Sequence, residues 1–178
     1  MTVSTQYDGL QVEVVVGDIT AQADLDAVVN AANARLTTGG GVAGAIHAAA
    51  GPGLDEECRP LAPIEPGQAV LTSGHGLPNE WVIHVLGPVY GRDRPAEQLL
   101  ASCYREALRL ADGRGLASVG FPAVSTGAFG YPMEEAARVA LATIEAAAGD
   151  LDAVRLVRFV LFDDAAAQAH ERQLSHRG

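Results

Sequence analysis

The chain contains no lysine, and all 12 of its basic residues are arginines. A Walker-type phosphate loop needs a lysine at the β- and γ-phosphates, and Schiff-base or pyridoxal chemistry needs a lysine amine. The sequence therefore excludes both classes of function. The formal net charge is -10, so nucleic acid is not an expected partner, and an anionic ligand must be held by local donors rather than by long-range attraction.

Cysteine is also scarce, because Cys58 and Cys103 are the only two in the sequence. Two are too few for a disulfide framework, and their spacing is not that of a metal site. The N-terminus lacks the apolar core of a signal sequence, and no apolar run approaches the length of a membrane span. We therefore expect a cytoplasmic protein with no membrane partner, no metal and no cofactor.

The residues that are present favour one globular α/β domain. Hydrophobic residues make up 48% of the 178 residues and charged residues 19%, which is an ordinary globular balance. We take 1–178 as a single domain with its core at about 10–175. Strands alternating with helices predict a largely parallel sheet covered on both faces. The predicted strands are 11–16, 26–30, 69–73, 81–86, 118–122 and 154–162, and the predicted helices are 42–50, 54–59, 95–113, 133–148 and 165–174.

Ligands of such sheets bind beyond the carboxyl ends of the strands, so we interpret the loops at 17–19, 30–44, 124–130 and 162–163 as the candidate site. The segment 39–44 (GGGVAG) formally satisfies G-x-G-x-x-G. The dinucleotide fingerprint follows a strand directly, whereas roughly eight residues intervene here, so a Rossmann interpretation is disfavoured.

Consecutive glycines still let the backbone approach a ligand closely, and a helix N-terminus offers N–H groups to an anion. The alternative is a flexible turn that binds nothing. The segment 125–130 is a second loop of small residues, with the Ser125 hydroxyl as a further donor. No G-x-S-x-G elbow surrounds Ser125, which disfavours a nucleophile. Two such loops at one end of a sheet could hold a pyrophosphate between them.

Several polar side chains lie at the predicted strand ends. Asn30 and Asn33 flank two alanines, and we interpret one as a structural amide and the other as a group that binds a sugar hydroxyl. Asp18 is either a helix cap or an acceptor for an exocyclic amine. His47 and His84 have no Glu or Cys at ligand spacing, so they are interpreted as core or surface groups.

Five segments of the chain, in order, resemble the macro domain family: 15–20 (VVGDIT), 28–33 (VVNAAN), 39–54 (GGGVAGAIHAAAGPGL), 82–90 (VIHVLGPVY) and 121–132 (FPAVSTGAFGYP). The similarity is greatest to the MacroD-type branch of O-acetyl-ADP-ribose deacetylases and mono-ADP-ribosyl hydrolases, and it covers nearly the whole chain. It implies a three-layer α/β/α sandwich with a mixed, largely parallel sheet. It also implies ADP-ribose or its esters as ligand, and mono-ADP-ribosylated proteins as partners.

The resemblance further implies which residues contact the ligand. These are Asp18 and Ile19 for the adenine amino group, Phe162 for the adenine ring, Asn33 for the distal ribose, Gly40, Gly41, Val42 and Ala43 for the phosphates and that ribose, and Ser125, Thr126, Gly127, Ala128 and Phe129 for the diphosphate and the distal ribose. The candidate catalytic residues are Asn33, which would hydrogen-bond the distal ribose, Gly41, which would face the phosphates and that ribose, and Phe129, which would orient the ribose.

One position departs from the MacroD-type pattern. That pattern reads GGGVDG, and its Asp is credited with activating water or orienting the distal ribose, whereas this chain has Ala43. A positioned general base contributes about 10²–10⁴ in rate. The GGGVAG string also resembles coronaviral macro domains, in which the ligand phosphate and the ribose-binding Asn can position water without that Asp. Two hypotheses follow: a hydrolase of ADP-ribose esters, and a non-catalytic reader of ADP-ribose.

Overall fold

A computed structural model describes residues 2–177 of the chain, with side chains described as far as Ser175. It contains strands and helices in the predicted alternation. The strands are β1 (Val3–Tyr7), β2 (Leu10–Val16), β3 (Ala27–Ala31), β4 (Ala69–Ser73), β5 (Trp81–Val85), β6 (Ser118–Phe121) and β7 (Leu156–Leu161). The helices are α1 (Gly41–Ala50), α2 (Pro52–Cys58), α3 (Ala96–Gly113), α4 (Met133–Ala148) and α5 (Asp164–Arg177). None of the described helices is both long and apolar enough to cross a membrane.

The strands form one sheet in the order β1-β2-β7-β6-β3-β5-β4. The five strands from β2 to β5 in that order pair in parallel. The edge strands β1 and β4 pair antiparallel with β2 and β5. This arrangement confirms the predicted mixed, largely parallel sheet.

Helices cover both faces of the sheet because the strand residues alternate between the two faces. Val28 packs in a core cluster with the buried residues of α1 and α2. Its neighbour Val29 packs in a second cluster with those of α3 and α4, and Leu174 of α5 belongs to the same cluster. The predicted three-layer α/β/α sandwich is thereby confirmed.

The strand β1 was not predicted. Its sequence (VSTQY) is mostly polar and only partly buried, so it carries little of the apolar signal that marks a strand. The hairpin turn that joins it to β2 is marked in the sequence by Asp8 and Gly9. Both residues adopt positive φ there, at 48° and 85°. An Asp-Gly pair between extended segments is typical of such a turn.

The order of the strands locates a crevice. β3 and β6 are neighbours in the sheet. After β3 the chain continues to the side of the sheet that holds β5 and β4, whereas after β6 it continues to β7 on the opposite side. The topological switch point therefore lies between them, and ligands of open α/β sheets bind outside the carboxyl ends of the strands at such a point. The loops that border it here are 32–40 and 122–132.

Candidate functional site

The loops that follow the five parallel strands all lie at one edge of the sheet. Across that edge they come in the order 17–22 and 162–163, then 122–132, then 32–40, and last 86–95, because the strands that precede them are arranged in that order. We call the crevice between these loops the cleft. The sequence-predicted residues are all in or beside these loops or in the first turn of α1.

The first glycine loop ends in an uncapped helix N-terminus. Gly40 is the N-cap of α1 and has no side chain to satisfy the helix, and Gly41 adopts a φ of 57°. A Cβ at Gly44 would overlap the carbonyl oxygen of Gly39, so the tight approach of loop and helix needs glycine there. Within the described chain, the N–H groups of 41–43 donate no backbone hydrogen bond, so they are available to an anion.

The second loop, after β6, is held by its own backbone. The N–H of Tyr131 donates to the carbonyl of Ser125 (2.9 Å), and the Thr126 hydroxyl donates to the carbonyl of Ala123 (2.8 Å). Ser125 adopts a φ of 67°, a left-handed conformation that non-glycine residues adopt infrequently. The backbone N–H groups of 127–129 donate to no backbone acceptor in the described part of the chain. This loop therefore also presents several donors.

The loop after β6 is tied to the loop after β5. The N–H of Tyr90 donates to the carbonyl of Phe129 (2.8 Å). A Cβ at Gly87 would overlap the Ser125 hydroxyl, and this hydroxyl is buried with no hydrogen-bond partner among the described residues. The half-buried Phe129 side chain packs against the α1–α2 core cluster. Phe129 is thus fixed both by its backbone and by its ring.

Asn33 organises the loop that leads from β3 to the glycines. Its Oδ1 accepts the N–H groups of Arg35 (3.1 Å) and Thr37 (3.2 Å) and the Thr37 hydroxyl (3.3 Å). Its Nδ2 donates to the carbonyl of Thr37 (3.0 Å). An amide nitrogen has two N–H groups, so the second N–H of this half-buried side chain can still donate to a ligand hydroxyl.

Asn30 has a different role, which matches the predicted structural amide. It is fully buried, and its Nδ2 lies 3.0 Å from Nδ1 of His84 on the neighbouring strand. Burial lowers the pKa of His84 to about 3, so the ring is neutral, accepts from Asn30, and donates through Nε2 to the Thr72 hydroxyl at 2.9 Å. His47 is buried as well. Among the described residues no group of three His, Cys, Asp or Glu could hold a metal ion.

The adenine-side residues of the prediction come together at the ends of β2 and β7. Val16 pairs with Leu161, so Asp18 and Phe162 follow adjacent strand ends. Asp18 caps a short 3₁₀ turn, because its Oδ1 accepts the N–H (2.9 Å) and the hydroxyl (2.6 Å) of Thr20, which lower its pKa. The Phe162 ring is 93% exposed, which is unusual for a large apolar side chain and leaves one face open to a partner.

A network that the sequence did not reveal supports this end. Arg158 on β7 is largely buried and pairs with Glu13 (2.9 Å) and Asp24 (2.7 Å). It also donates to Oε1 of Gln22 (3.0 Å), and Nε2 of Gln22 donates to the carbonyl of Asp18 (2.9 Å). The loop that carries Asp18 is therefore fixed to the sheet through Gln22 and Arg158.

At the other end of the cleft is a cavity of about 350 Å³, which we call the distal cavity. It is lined by Asn33, Ala34, Ile64, Glu65, Pro66, Leu86, Gly87, Val89, Arg92, Asp93 and Phe129. The structure thus brings Asn33 and Phe129 together at one cavity. The segments 64–66 and 92–93 had no predicted role, since no local pattern indicates that they meet here.

Comparison with known proteins agrees with this geometry. A family model described as Macro domain matches residues 29–140. A macro domain-containing protein of Streptomyces coelicolor is 46% identical over 92% of this chain and 98% of its own length. A Klebsiella pneumoniae protein named O-acetyl-ADP-ribose deacetylase is 44% identical over 93% of this chain and 97% of its own.

Two solved structures extend the comparison. The Oceanobacillus iheyensis macrodomain with ADP has a TM-score of 0.95 and 38% identity, covering 99% of this chain and 96% of that chain. The Trypanosoma brucei macrodomain in complex with ADP-ribose has a TM-score of 0.86 and 39% identity, covering 92% of this chain and 68% of that chain.

Proposed function

The chain belongs to the macro domain family, and from that premise we propose that its cleft binds ADP-ribose and hydrolyses ADP-ribose esters. The ester substrates are O-acetyl-ADP-ribose and ADP-ribose linked to acidic side chains of proteins. Two relatives named O-acetyl-ADP-ribose deacetylase support the reaction. Solved neighbours that contain ADP and ADP-ribose support the ligand.

The observation that carries the proposal is the pair of donor loops at the switch point. The N–H groups of 41–43 belong to the first turn of α1, which follows the loop after β3, and those of 127–129 belong to the loop after β6, on the other side of the same crevice. A diphosphate placed there would accept from both loops. Backbone donors suit this chain in particular, because its net charge of -10 and its lack of lysine leave few cationic side chains for phosphate.

The adenosine part is then placed towards Asp18 and Phe162. The exposed Phe162 ring supplies an apolar face for the adenine base, and stacking of a base on an aromatic ring contributes about 1–3 kcal/mol. The low pKa of Asp18 keeps its side chain a carboxylate, which accepts from an exocyclic amine. Ile19 is buried beneath this loop and supports it from the core side.

The reacting part of the ligand is placed at the distal end of the cleft. Asn33 donates its second Nδ2 N–H to the distal ribose, and Phe129 packs beside that ribose. Gly41 gives close backbone access for the phosphates. In the proposed reaction water attacks the acyl carbon, the bond from that carbon to the ribose oxygen breaks, and the ribose oxygen takes up a proton. The acid product releases its own proton to solvent.

Water activation is the step that Ala43 affects. Ala43 is buried in the first turn of α1 and offers no carboxylate, so we assign the positioning of water to the ligand's own phosphate and to Asn33. The second candidate function is a non-catalytic reader of ADP-ribose. The same observation, an alanine at this position, favours it.

Two measurements test the proposal and separate the two functions. Calorimetry should show ADP-ribose binding in both cases, and no heat at saturating ligand would refute both. Turnover of O-acetyl-ADP-ribose, and release of ADP-ribose from a protein modified on Glu or Asp, should exceed the buffer rate for a hydrolase. Release at the buffer rate from both substrates would leave the reader.

A variant tests the role of Asn33 in turnover. Asn33→Ala should lower turnover about 10²–10³-fold, as for loss of one transition-state donor, with a smaller effect on ADP-ribose affinity. Thr37→Ala is the matched control, since it removes a hydroxyl bond to Asn33 within the same loop and leaves the amide in place. Equal losses of affinity and turnover in Asn33→Ala would show that the amide acts in binding alone.

A further inference from the structure

The distal cavity opens to the surface at the end of the cleft, beyond the donor loops. Asn33 and Phe129 line it, but no residue of 39–43 or 125–128 does. Since those two segments carry the donors that the proposed function assigns to the diphosphate, the cavity lies on the far side of the distal ribose from the phosphates. A macromolecule to which that ribose is linked would leave the cleft through the mouth of this cavity.

Exposed cationic side chains lie at or beside that mouth. Arg92 lines the cavity itself, and Arg94 follows two residues later in the same loop. Arg35 comes directly after Ala34, which also lines the cavity. All three arginines are exposed. We call these three side chains, together with the exposed ring of Tyr90, the distal rim.

Two of these arginines are not neutralised by a neighbouring carboxylate. Arg92 lies 3.6 Å from Asp93, whereas Arg35 and Arg94 form no ion pair with any described residue. The sequence has 22 acidic residues for its 12 arginines, so carboxylates are not scarce in this chain. The guanidinium groups of Arg35 and Arg94 are therefore available to an anion of a partner.

Two backbone donors beside the mouth are already used. The N–H of Glu65 donates to Oε1 of Gln68 (2.8 Å), and the N–H of Val89 donates to Oδ2 of Asp93 (2.8 Å). A polypeptide that crosses the mouth is therefore not held by these two groups. The guanidinium groups remain, and each presents several N–H donors in a planar arrangement that suits a carboxylate.

Tyr90 adds a rigid aromatic surface to the distal rim. Its ring is 44% exposed and packs against the ring of Tyr131, with the ring centroids 4.8 Å apart. Its N–H donates to the carbonyl of Phe129 (2.8 Å), so both its backbone and its ring are fixed. Tyrosine and arginine are among the residue types that most often dominate the binding energy of protein–protein interfaces. This composition favours a polypeptide partner.

The charges at the mouth also favour a polypeptide over a nucleic acid. Glu65 and Asp93 line the cavity, so two carboxylates stand beside the three arginines of the distal rim. A nucleic acid carries a phosphate at every nucleotide and needs a continuous basic surface, which this mixed rim on a chain of net charge -10 does not offer. A polypeptide can place single carboxylates opposite Arg35 and Arg94 and keep others away from Glu65.

We propose that the distal rim binds acidic residues that flank the modified side chain of an ADP-ribosylated protein, with Arg35 and Arg94 pairing with their carboxylates. The inference rests on the proposed function, because it takes the cleft to hold the ADP-ribose. The net charge of the chain does not cancel this attraction. At physiological ionic strength the screening length is about 8 Å, so the rim arginines act on a bound peptide more strongly than distant carboxylates do.

The affinities of two matched peptides test the distal rim without any turnover. Each peptide carries ADP-ribose linked through an amide to a central side chain, which is flanked by glutamates in one peptide and by glutamines in the other. Exposed ion pairs contribute about twofold each in affinity, so calorimetry at low salt should show the acidic peptide binding about fivefold tighter. The preference should shrink at high salt. The net charge of the chain alone would give the opposite preference.

The outcomes separate this inference from the proposed function. Equal affinities, or weaker binding of the acidic peptide, would overturn the inference even if free ADP-ribose binds and its esters are hydrolysed. A preference for the acidic peptide would support the inference even if no ester is hydrolysed. Failure of free ADP-ribose to bind would refute the proposed function, and the inference with it.

A pair of double variants assigns the preference to its residues. Arg35→Gln combined with Arg94→Gln should remove most of the preference for the acidic peptide. Arg105→Gln combined with Arg155→Gln changes the net charge equally at exposed positions outside the cleft loops and should keep the preference. Equal losses in both double variants would assign the effect to the overall charge and overturn the inference. Tighter binding of an oligonucleotide that carries ADP-ribose on a terminal phosphate would identify a nucleic acid as the partner and also overturn it.

Discussion

The two ends of the cleft are built in different ways. At the end formed by Asp18 and Phe162, which we call the adenine end after the proposed ligand, the side chains are exposed, with the Phe162 ring 93% accessible. At the distal end, formed by Asn33, Ala43, Phe129 and the distal cavity, loops that follow or precede several strands line a half-open cavity. An open platform adds affinity for a flat base. A cavity lined from several sides can hold a reacting group in one orientation.

The supports of the two ends differ as well. Ion pairs from Arg158 to Glu13 and Asp24 fix the loop at the adenine end. Backbone hydrogen bonds, such as that from Tyr90 to Phe129, fix the loops at the distal end. The comparison teaches that this chain places the largely buried Arg158 behind the loop that carries Asp18, whereas the proposed function leaves phosphate and ribose to neutral donors. If that division holds, changes at the distal end alter turnover and changes at the adenine end alter affinity or stability.

The largest expected effect is at the distal end, from Ala43→Asp. A carboxylate in the first turn of α1 is compatible with the helix dipole, and a positioned base contributes about 10²–10⁴ in rate. We expect a rise of that order in kcat for O-acetyl-ADP-ribose, with ADP-ribose affinity little changed. Steady-state deacetylation and calorimetry measure the two quantities.

Ala43→Asn is the matched control for that variant, since it has nearly the same shape without the charge. A rise in the Asp variant alone would assign the gain to a base. An equal rise in both would assign it to orientation of the ribose. An unchanged rate in both would show that the route through the ligand phosphate already supplies all the assistance that this position can give.

The next effect concerns the support of the adenine end. Arg158→Met leaves Glu13, which is only 12% exposed, without its cation, and removal of one partner of a buried ion pair costs about 3–5 kcal/mol. Because Asp24 is 65% exposed, we expect a smaller loss of about 2–4 kcal/mol in the free energy of unfolding, measured by urea denaturation. Arg155→Met, an exposed position on the approach to the same strand, should change it by less than about 0.5 kcal/mol. Similar losses in both variants would contradict a specific role for Arg158.

The fold was predictable from the sequence where local signals are strong. The β-branched and apolar residues of β2 and β7, interrupted only by Gln11, Glu13 and Arg158, are typical of parallel strands covered on both faces, and the apolar stripe of α3 is typical of a helix. The strand β1 was missed because its side chains are polar and half exposed, and only pairing with β2 makes it a strand. The β-strand propensity of individual residues is a weak guide to a strand at the edge of a sheet.

The same distinction explains what was predictable of the site. The glycine loops and Asn33 lie in continuous segments that resemble a family, so their roles could be proposed from the sequence. The partners of Arg158 are 134 to 145 residues away in the chain, and no local pattern pairs them. The walls at Ile64 and Val89 likewise meet only because β4 and β5 are neighbours.

The smallest of these effects concerns the exposed ring of the adenine end. Phe162→Ala removes the stacking face, which contributes about 1–3 kcal/mol, so ADP-ribose affinity should fall about 5- to 150-fold while kcat at saturating substrate stays the same. Leu61→Ala, at another exposed apolar residue outside the cleft, should leave both unchanged, and Phe162→Tyr should restore affinity. Calorimetry with ADP-ribose and with ribose 5-phosphate isolates the contribution of base stacking to the binding free energy. The smaller ligand has no base, so it should bind the Phe162→Ala variant and the unchanged protein equally. A fall in kcat with affinity intact would show that the adenine end takes part in positioning the distal ribose, and the division between the two ends would then be wrong.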